Sequence, residues 1–160
     1  MEQYKIDFLK NDFIPLLTRL KCDDQGKWGV MHAQQMVEHF IEAVESASGK
    51  LILPMINEGE RLIKSRDFLL SDIPFKENTK NPLMSEIPVP ALYPGMQPAI
   101  EKLQEELSYF FQVFSNTPGL KTKNPFFGDL NYEENIQLLY KHAFHHLTQF
   151  NLRSADLPGQ

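Results

Sequence analysis

Proline is concentrated in one stretch of the chain. Within 25 residues the sequence places Pro74, Pro82, Pro88, Pro90, Pro94 and Pro98. Because proline has no backbone N–H and its ring clashes with the carbonyl four residues earlier, this density excludes a continuous helix. In a compact domain, a stretch this long without regular structure is commonly a lid or a packed crossover. We therefore expect residues 71–95 to form an irregular crossover between helical parts of the chain.

Helical periodicity flanks this segment on both sides, with apolar residues recurring every three or four positions. The predicted helices are Tyr4–Leu20, His32–Ser48, a shorter piece at Glu60–Leu70, Pro98–Ser115, and Asn131–Asn151. Within the first of them, Pro15 should introduce a kink or mark the start of the second half. Gly49 is expected to end the second helix, and Asn131 with Glu134 forms a capping box for the last. No β-hairpin is predicted. This pattern predicts an all-α fold, an up-down four-helix bundle, in a single domain of residues 1–160.

Composition and charge exclude several classes of protein. A chain of 160 residues with 42% apolar and 11% aromatic residues supports a packed core and argues against disorder. A net charge of −5 argues against electrostatic binding of nucleic acid. Cys22 is the lone cysteine, so no intrachain disulfide can form, as is usual in a reducing cytosol. With no apolar secretory signal and no membrane-spanning run, we expect a soluble, cytoplasmic protein that binds no membrane.

All five histidines lie in two short stretches. They are His32 and His39 in the second predicted helix, and His142, His145 and His146 in the last. At about 100° per residue, His142 and His146 share one flank of the apolar face of the last helix, and His39 flanks the apolar face of the second. His145 falls on the opposite side, toward solvent or a partner subunit, and His32 is a reserve candidate. Imidazole is a good ligand for zinc and nickel, so His39, His142 and His146 are candidate metal ligands. The alternative is ordinary packing of imidazole among aromatic side chains.

The two histidine-bearing segments also carry recognisable motifs. The segment WGVMHAQQMVEH, residues 28–39, resembles the W-G-x-M-x-x-x-Q-M-x-x-H signature of a branch of the DinB-like superfamily. The segment NPFFGDLNYEENIQLLYKHAFHHLTQF, residues 124–150, resembles the C-terminal signature of the same branch. That signature has a Pro-Phe-Phe-Gly loop and a His-x-x-His-His-x-x-Gln helix. Together the two segments cover about a quarter of the chain.

This resemblance implies an up-down four-helix bundle, often dimeric, with a divalent metal, zinc or nickel, held by three histidines. The family's ligand on the second helix matches His39, and its pair on the last helix matches His142 and His146. Better-known relatives are thiol-dependent transferases and isomerases, which implies a small-molecule substrate and a low-molecular-weight thiol as partners. Two positions depart from the family pattern. Leu147 stands where many relatives have arginine, and His32 replaces a small hydroxyl residue that would cap the second helix.

Two functional hypotheses follow from the three histidines. Three neutral ligands leave zinc an open fourth position, where it can lower the pKa of bound water to about 7 or bind a thiol as thiolate. The first hypothesis is a metal-dependent transferase or hydrolase in which Gln149 and Asn135 support the ligands. The second is a non-catalytic binding or dimerisation module with a structural metal or none. A structural zinc site usually has four protein ligands, and only His32 is an obvious candidate for the fourth.

Overall fold

The chain is predominantly helical. The computed structural model describes residues 3–152. The elements are α1 (Gln3–Asp7), a π-helical segment (Phe8–Asp12), α2 (Phe13–Leu17), α3 (Ala33–Ser48), α4 (Gly59–Leu70), α5 (Met96–Asn116), β1 (Thr122–Asn124), β2 (Gly128–Leu130) and α6 (Tyr132–Gln149). The helices predicted after residue 30 are each found within two or three residues of their expected bounds. None of the helices between residues 3 and 152 is long and apolar enough to cross a membrane.

The first predicted helix is divided differently from the expectation of a kink at Pro15. A π-helical segment, Phe8–Asp12, separates α1 from α2, and Pro15 lies in the first turn of α2. Proline cannot donate to the carbonyl of Asn11, four residues earlier, and its ring would clash with that carbonyl in a regular α-helix. Widening the helix to the i→i+5 pattern just before the proline relieves both problems. The prediction that Pro15 marks the start of the second half of this stretch is confirmed.

The main core lies between α3, α5 and α6. Its buried side chains include Met36, Phe40 and Val44 from α3, Leu103, Leu107 and Phe110 from α5, and Ile136, Leu139 and Leu147 from α6. Each side chain of this size contributes about 1.5–3 kcal/mol when fully buried. The α-helical period places these residues on one face of each helix, so the apolar pattern that predicts the helices also fixes which face of α3 meets α6.

The caps of α3 and α6 set where these two helices begin. The His32 Nδ1 accepts a hydrogen bond from the Gln35 backbone N–H at 3.3 Å, and the Gln35 Oε1 accepts from the His32 N–H at 3.0 Å. His32 therefore closes a capping box, a role usually filled by serine or threonine. Asn131 and Glu134 form the predicted capping box at the start of α6. Gly49 ends α3 with φ 82°, a left-handed conformation that glycine adopts without strain.

A β-hairpin precedes α6, so the prediction of no β-hairpin is wrong. Strands β1 and β2 pair antiparallel, with Thr122 opposite Leu130 and Asn124 opposite Gly128. Strands of three residues are too short to show a two-residue period, which is why the pattern was missed. The Asn-Pro-Phe-Phe-Gly sequence was a usable signal, because the Asn124 Oδ1 accepts from the Phe126 and Phe127 N–H groups and closes the turn.

The proline-rich segment is confirmed as irregular, since Ser71–Gly95 contains no helix or strand. Both of its ends are fixed to helices. At the first end, the Lys141 Nζ of α6 donates to the carbonyl of Ser71 at 3.0 Å. At the second end, the Glu38 carboxylate of α3 accepts from the backbone N–H groups of Leu92 and Tyr93 at 2.8 and 3.0 Å. The segment therefore bridges the two helices that carry the candidate ligands.

Arg66 should contribute strongly to stability, because it joins α4 to the hairpin and to α6. It donates to the carbonyls of Phe127 and Asp129, both at 2.8 Å, and pairs with Glu134. We expect Arg66→Ala to lower the free energy of unfolding by about 2 kcal/mol, because charge-assisted hydrogen bonds are lost. Urea unfolding measures this, with exposed Arg61→Ala of the same helix as the control. Equal effects of the two substitutions would contradict the assigned role.

Candidate metal centre

Helices α3 and α6 bring three histidines together, as their helical phase predicts. His142 and His146 lie one turn apart on α6, and His39 meets them from α3. The Nε2 atoms of His39 and His142 are 3.1 Å apart, and those of His142 and His146 are 2.8 Å apart. The potential ligand atoms of all three residues lie within 4.8 Å of one another. The predicted convergence of these three side chains is confirmed.

The separations of the nitrogens are compatible with a shared cation. Nitrogen ligands about 2.0–2.1 Å from one ion lie about 2.9–3.4 Å apart for octahedral or tetrahedral angles, close to the separations of 3.1 and 2.8 Å between the His142 Nε2 and its two neighbours. Hydrogen bonds among the three imidazoles satisfy their nitrogen atoms less completely than a cation does. A neutral imidazole Nε2 carries either one hydrogen or one lone pair, so the His142 Nε2 cannot bond linearly to both neighbours. A divalent cation accepts all three lone pairs at once, and imidazole suits zinc and nickel among others.

Gln149 fixes the tautomer of His146. The Gln149 Nε2 donates to the carbonyl of Trp28 at 2.9 Å, which turns the Oε1 of the amide toward His146. The distance from this Oε1 to the His146 Nδ1 is 2.7 Å. Because a carbonyl oxygen can only accept, the His146 Nδ1 must carry the proton. The His146 Nε2 is then left with a lone pair that faces His39 and His142, as metal binding requires.

The three candidate ligands are held in the neutral form. Burial lowers the pKa of His39 from 6.5 to about 4, with a smaller contribution from the nearby charge of His145. Burial also holds the pKa of His142 and of His146 well below the ordinary value, assisted by the neighbouring histidines. The hydrogen bond from His146 to Gln149 opposes this shift without reversing it. At neutral pH all three imidazoles therefore have the charge state that a metal ligand needs.

Aromatic side chains surround the imidazole cluster. The ring of Phe40 lies 4.9 Å from that of His142, measured between centroids, and the ring of Phe75 lies 6.4 Å from it. Of the two predicted surroundings of His145, open solvent or a partner subunit, open solvent is wrong. His145 is half-buried, with the Trp28 ring 5.6 Å away and the Phe75 ring 6.2 Å away. The outward side of α6 is covered there because the Trp28 loop and the proline-rich segment both fold back onto it.

Two of the candidate site residues, Asn135 and His32, lie outside the imidazole cluster, and Phe75 lies beside it without having been predicted there. Asn135 does not reach the histidines, because its Nδ2 donates to the Thr122 Oγ1 at 3.0 Å and to the carbonyl of Leu130 at 3.1 Å. It therefore holds the hairpin against α6. His32 caps α3 and is not part of the cluster. Phe75 was not predicted beside the site, since an irregular segment has no periodic signal that places its side chains.

Three potential ligands make up the cluster formed by the described part of the chain. Within residues 3–152, no other histidine, cysteine, aspartate or glutamate joins His39, His142 and His146 at ligand distance. Comparisons of this chain with protein-family models, with curated proteins and with solved structures give no match. The geometry of the three histidines therefore carries the functional interpretation.

The neutral histidines, of which His146 is buried and His39 and His142 are half-buried, should make the metal-free protein sensitive to acid. The unfolded chain has histidine pKa values near 6.5, and the folded values are lower, so the unfolded state binds more protons between those limits. The free energy of unfolding should therefore fall as the pH is lowered from about 6.5 toward 4. For His39 alone, the shift to about 4 corresponds to about 3 kcal/mol.

Urea unfolding in the presence of a chelator, from about pH 7 to about pH 4.5, measures this dependence. His39→Gln is the matched variant, because its side chain is polar and does not titrate. We expect a shallower loss of stability with falling pH in this variant than in the wild-type protein. Identical pH dependence in the two proteins would show that His39 is not held neutral by the fold.

Proposed function

We propose that His39, His142 and His146 hold one divalent cation, zinc or nickel, in a metal-dependent enzyme of the DinB-like type. The observation that carries this proposal is the convergence of the three ligand atoms within 4.8 Å. Their neutral state and the fixed tautomer of His146 support it, because a metal ligand must be a neutral imidazole with a lone pair directed at the cation.

We propose further that the coordination shell is open to a substrate. A structural zinc site usually has four protein ligands, whereas a catalytic site commonly has three and one exchangeable position. The described cluster offers three. A divalent cation held there would act as a Lewis acid and lower the pKa of a coordinated water or thiol. The non-catalytic alternative, a binding or dimerisation module with a structural metal or none, has no comparable observation in its favour.

The chain's own residues would supply orientation and a partly dry environment. Gln149 accepts the Nδ1 proton of His146 and so directs the Nε2 lone pair into the cluster. Phe40 and Phe75 place apolar rings beside His142, which strengthens electrostatic interactions by limiting the access of water. Trp28 and Phe75 both contact His145, so their rings are the nearest candidates for the wall of a substrate site.

The DinB-like resemblance of residues 28–39 and 124–150 supports the finer parts of the proposal. They are an up-down four-helix bundle, a homodimer, and transferase chemistry on a small molecule, with a low-molecular-weight thiol as the partner. Hydrolase chemistry is proposed from the open metal position, and a cytoplasmic location from the lone cysteine. The apolar ring of Phe75, which is half-buried beside His142, suits the alkyl portion of such a thiol. The catalytic acid or base is not assigned.

Removing any one ligand should weaken zinc binding more than 100-fold, because the loss of a residue that merely supports a ligand already costs about 10–100-fold. We expect this result for His39→Ala, His142→Ala and His146→Ala, measured by competition with a chromogenic chelator. His145→Ala is the matched control, because His145 is adjacent and half-buried but outside the cluster. If His142→Ala and His146→Ala bound zinc normally while His145→Ala did not, the ligand assignment would be wrong.

The open position can be tested separately with cobalt-substituted protein. A small thiol that binds to the metal should produce a sulfur-to-cobalt charge-transfer band, because the thiolate replaces the exchangeable ligand. The band should be absent in the His142→Ala variant. A cobalt spectrum that is unchanged by thiols, by azide and by pH would indicate a closed site and favour the non-catalytic module.

A further inference from the structure

A glycine-containing loop wraps around Gln149, the residue that orients His146. The loop consists of residues 26–29 and is called here the Gly26–Gly29 loop. The Lys27 backbone N–H donates to the carbonyl of Gln149 at 2.7 Å, and the Gln149 Nε2 donates to the carbonyl of Trp28 at 2.9 Å. The main chain and the side chain of Gln149 are thus both bound by the same short loop. The Gln149 side chain itself is buried, with 3% of its surface exposed.

The close approach of this loop to Gln149 requires glycine at both ends. A Cβ at position 26 would lie 2.9 Å from the Gln149 Cγ and 3.0 Å from the carbonyl oxygen of Trp28. A Cβ at position 29 would lie 2.8 Å from the Gln149 Nε2, and the backbone there has φ 79°. A larger side chain at either position must displace the loop or the Gln149 side chain from its present place. The two glycines therefore determine how the carbonyl of Trp28 meets Gln149.

The base of the loop is fixed to α3, the helix that carries His39. Gln25 and His32 form an antiparallel bridge across the base, and His32 is also the N-cap of α3. The Ala33 N–H donates to the carbonyl of Asp24 at 2.9 Å. At its tip, the loop places the ring of Trp28 against His145 of α6. The loop therefore connects the start of α3 to the end of α6.

We infer that the Gly26–Gly29 loop is a positioning element of the metal centre, acting through the orientation of the Gln149 amide. This inference rests on the proposed metal site. The carbonyl of Trp28 accepts from the Gln149 Nε2 and so keeps the Gln149 Oε1 facing the His146 Nδ1. Gln149 and the loop glycines touch no ligand atom of the cation; they act through His146.

The chemical consequence concerns one proton. If the amide turned over, its NH₂ group would face the His146 Nδ1, which would then have to accept a hydrogen bond. The proton of the neutral imidazole would move to the Nε2, and the lone pair that faces the cluster would be lost. Without the carbonyl of Trp28, the two amide orientations become similar in energy. The fraction of His146 able to bind a metal would fall accordingly.

The test compares two glycines that have the same backbone conformation. Gly29 has φ 79° and touches Gln149, whereas Gly119 has φ 80° and a Cβ there would meet nothing within 4 Å. Alanine strains the backbone equally at both positions, so the two variants separate the loss of stability from the loss of positioning. We expect Gly29→Ala to weaken zinc binding about 10–100-fold, the range for residues that orient a ligand. Gly119→Ala should leave the zinc affinity unchanged.

A second readout does not require metal. Two-bond ¹H–¹⁵N spectra of the metal-free protein distinguish the two neutral tautomers of histidine. We expect His146 to be protonated at Nδ1 in the wild-type protein and in Gly119→Ala, and to populate both tautomers in Gly29→Ala. Gly26→Ala should behave as Gly29→Ala does and serves as a second variant if Gly29→Ala does not fold.

Rescue by Gln149→Glu completes the test. A carboxylate presents an oxygen to the His146 Nδ1 in either orientation, so it cannot be turned the wrong way. Gly29→Ala should therefore weaken zinc binding much less in the Gln149→Glu background than in the wild-type background. An equal loss in both backgrounds, or equal affinities of Gly29→Ala and Gly119→Ala, would overturn the inference. A wild-type protein that binds no metal would instead refute the proposed function, while the tautomer spectra would still test the loop.

Discussion

Three imidazole rings facing one another between α3 and α6 are the interaction on which the rest of the site depends. Burying polar rings beside Phe40 in the core is costly unless their nitrogens have partners. The Nε2 atoms of His39 and His146 both approach the Nε2 atom of His142, at 3.1 and 2.8 Å. Neutral imidazoles cannot satisfy all of these contacts. A divalent cation can satisfy them. It would therefore complete the packing of α3 against α6 and form the functional site at the same time.

Elements outside α3 and α6 restrict the positions of the three histidine rings. The His32 capping box sets the start of α3, and the Gly26–Gly29 loop connects that start to the end of α6. The proline-rich segment is anchored to α6 by Lys141 and to α3 by Glu38, and it places Phe75 beside the cluster. The irregular parts of the chain therefore have a common effect, which is to hold α3 and α6 in one relative position.

Helical phase was sufficient to select His39, His142 and His146, because each helix buries one continuous apolar face and the three residues flank it. The caps at Asn131 and Gly49 were also predictable, since both are local in sequence. Contacts between residues distant in sequence were not. The placement of Phe75, the cover over His145 and the binding of Glu38 to residues 92 and 93 all depend on how an irregular segment folds back. Glu38 in particular has the pattern of a solvated helix residue until that segment is in place.

The most direct test of this account is the metal content of the purified protein. Untagged protein, prepared without chelators or nickel resin, would be analysed by elemental mass spectrometry against protein concentration from amino-acid analysis. We predict about one zinc or nickel per chain, bound through the three histidines. A folded protein that contains no metal and takes up none when zinc or nickel is added would contradict the account. The imidazole cluster would then be a polar part of the core.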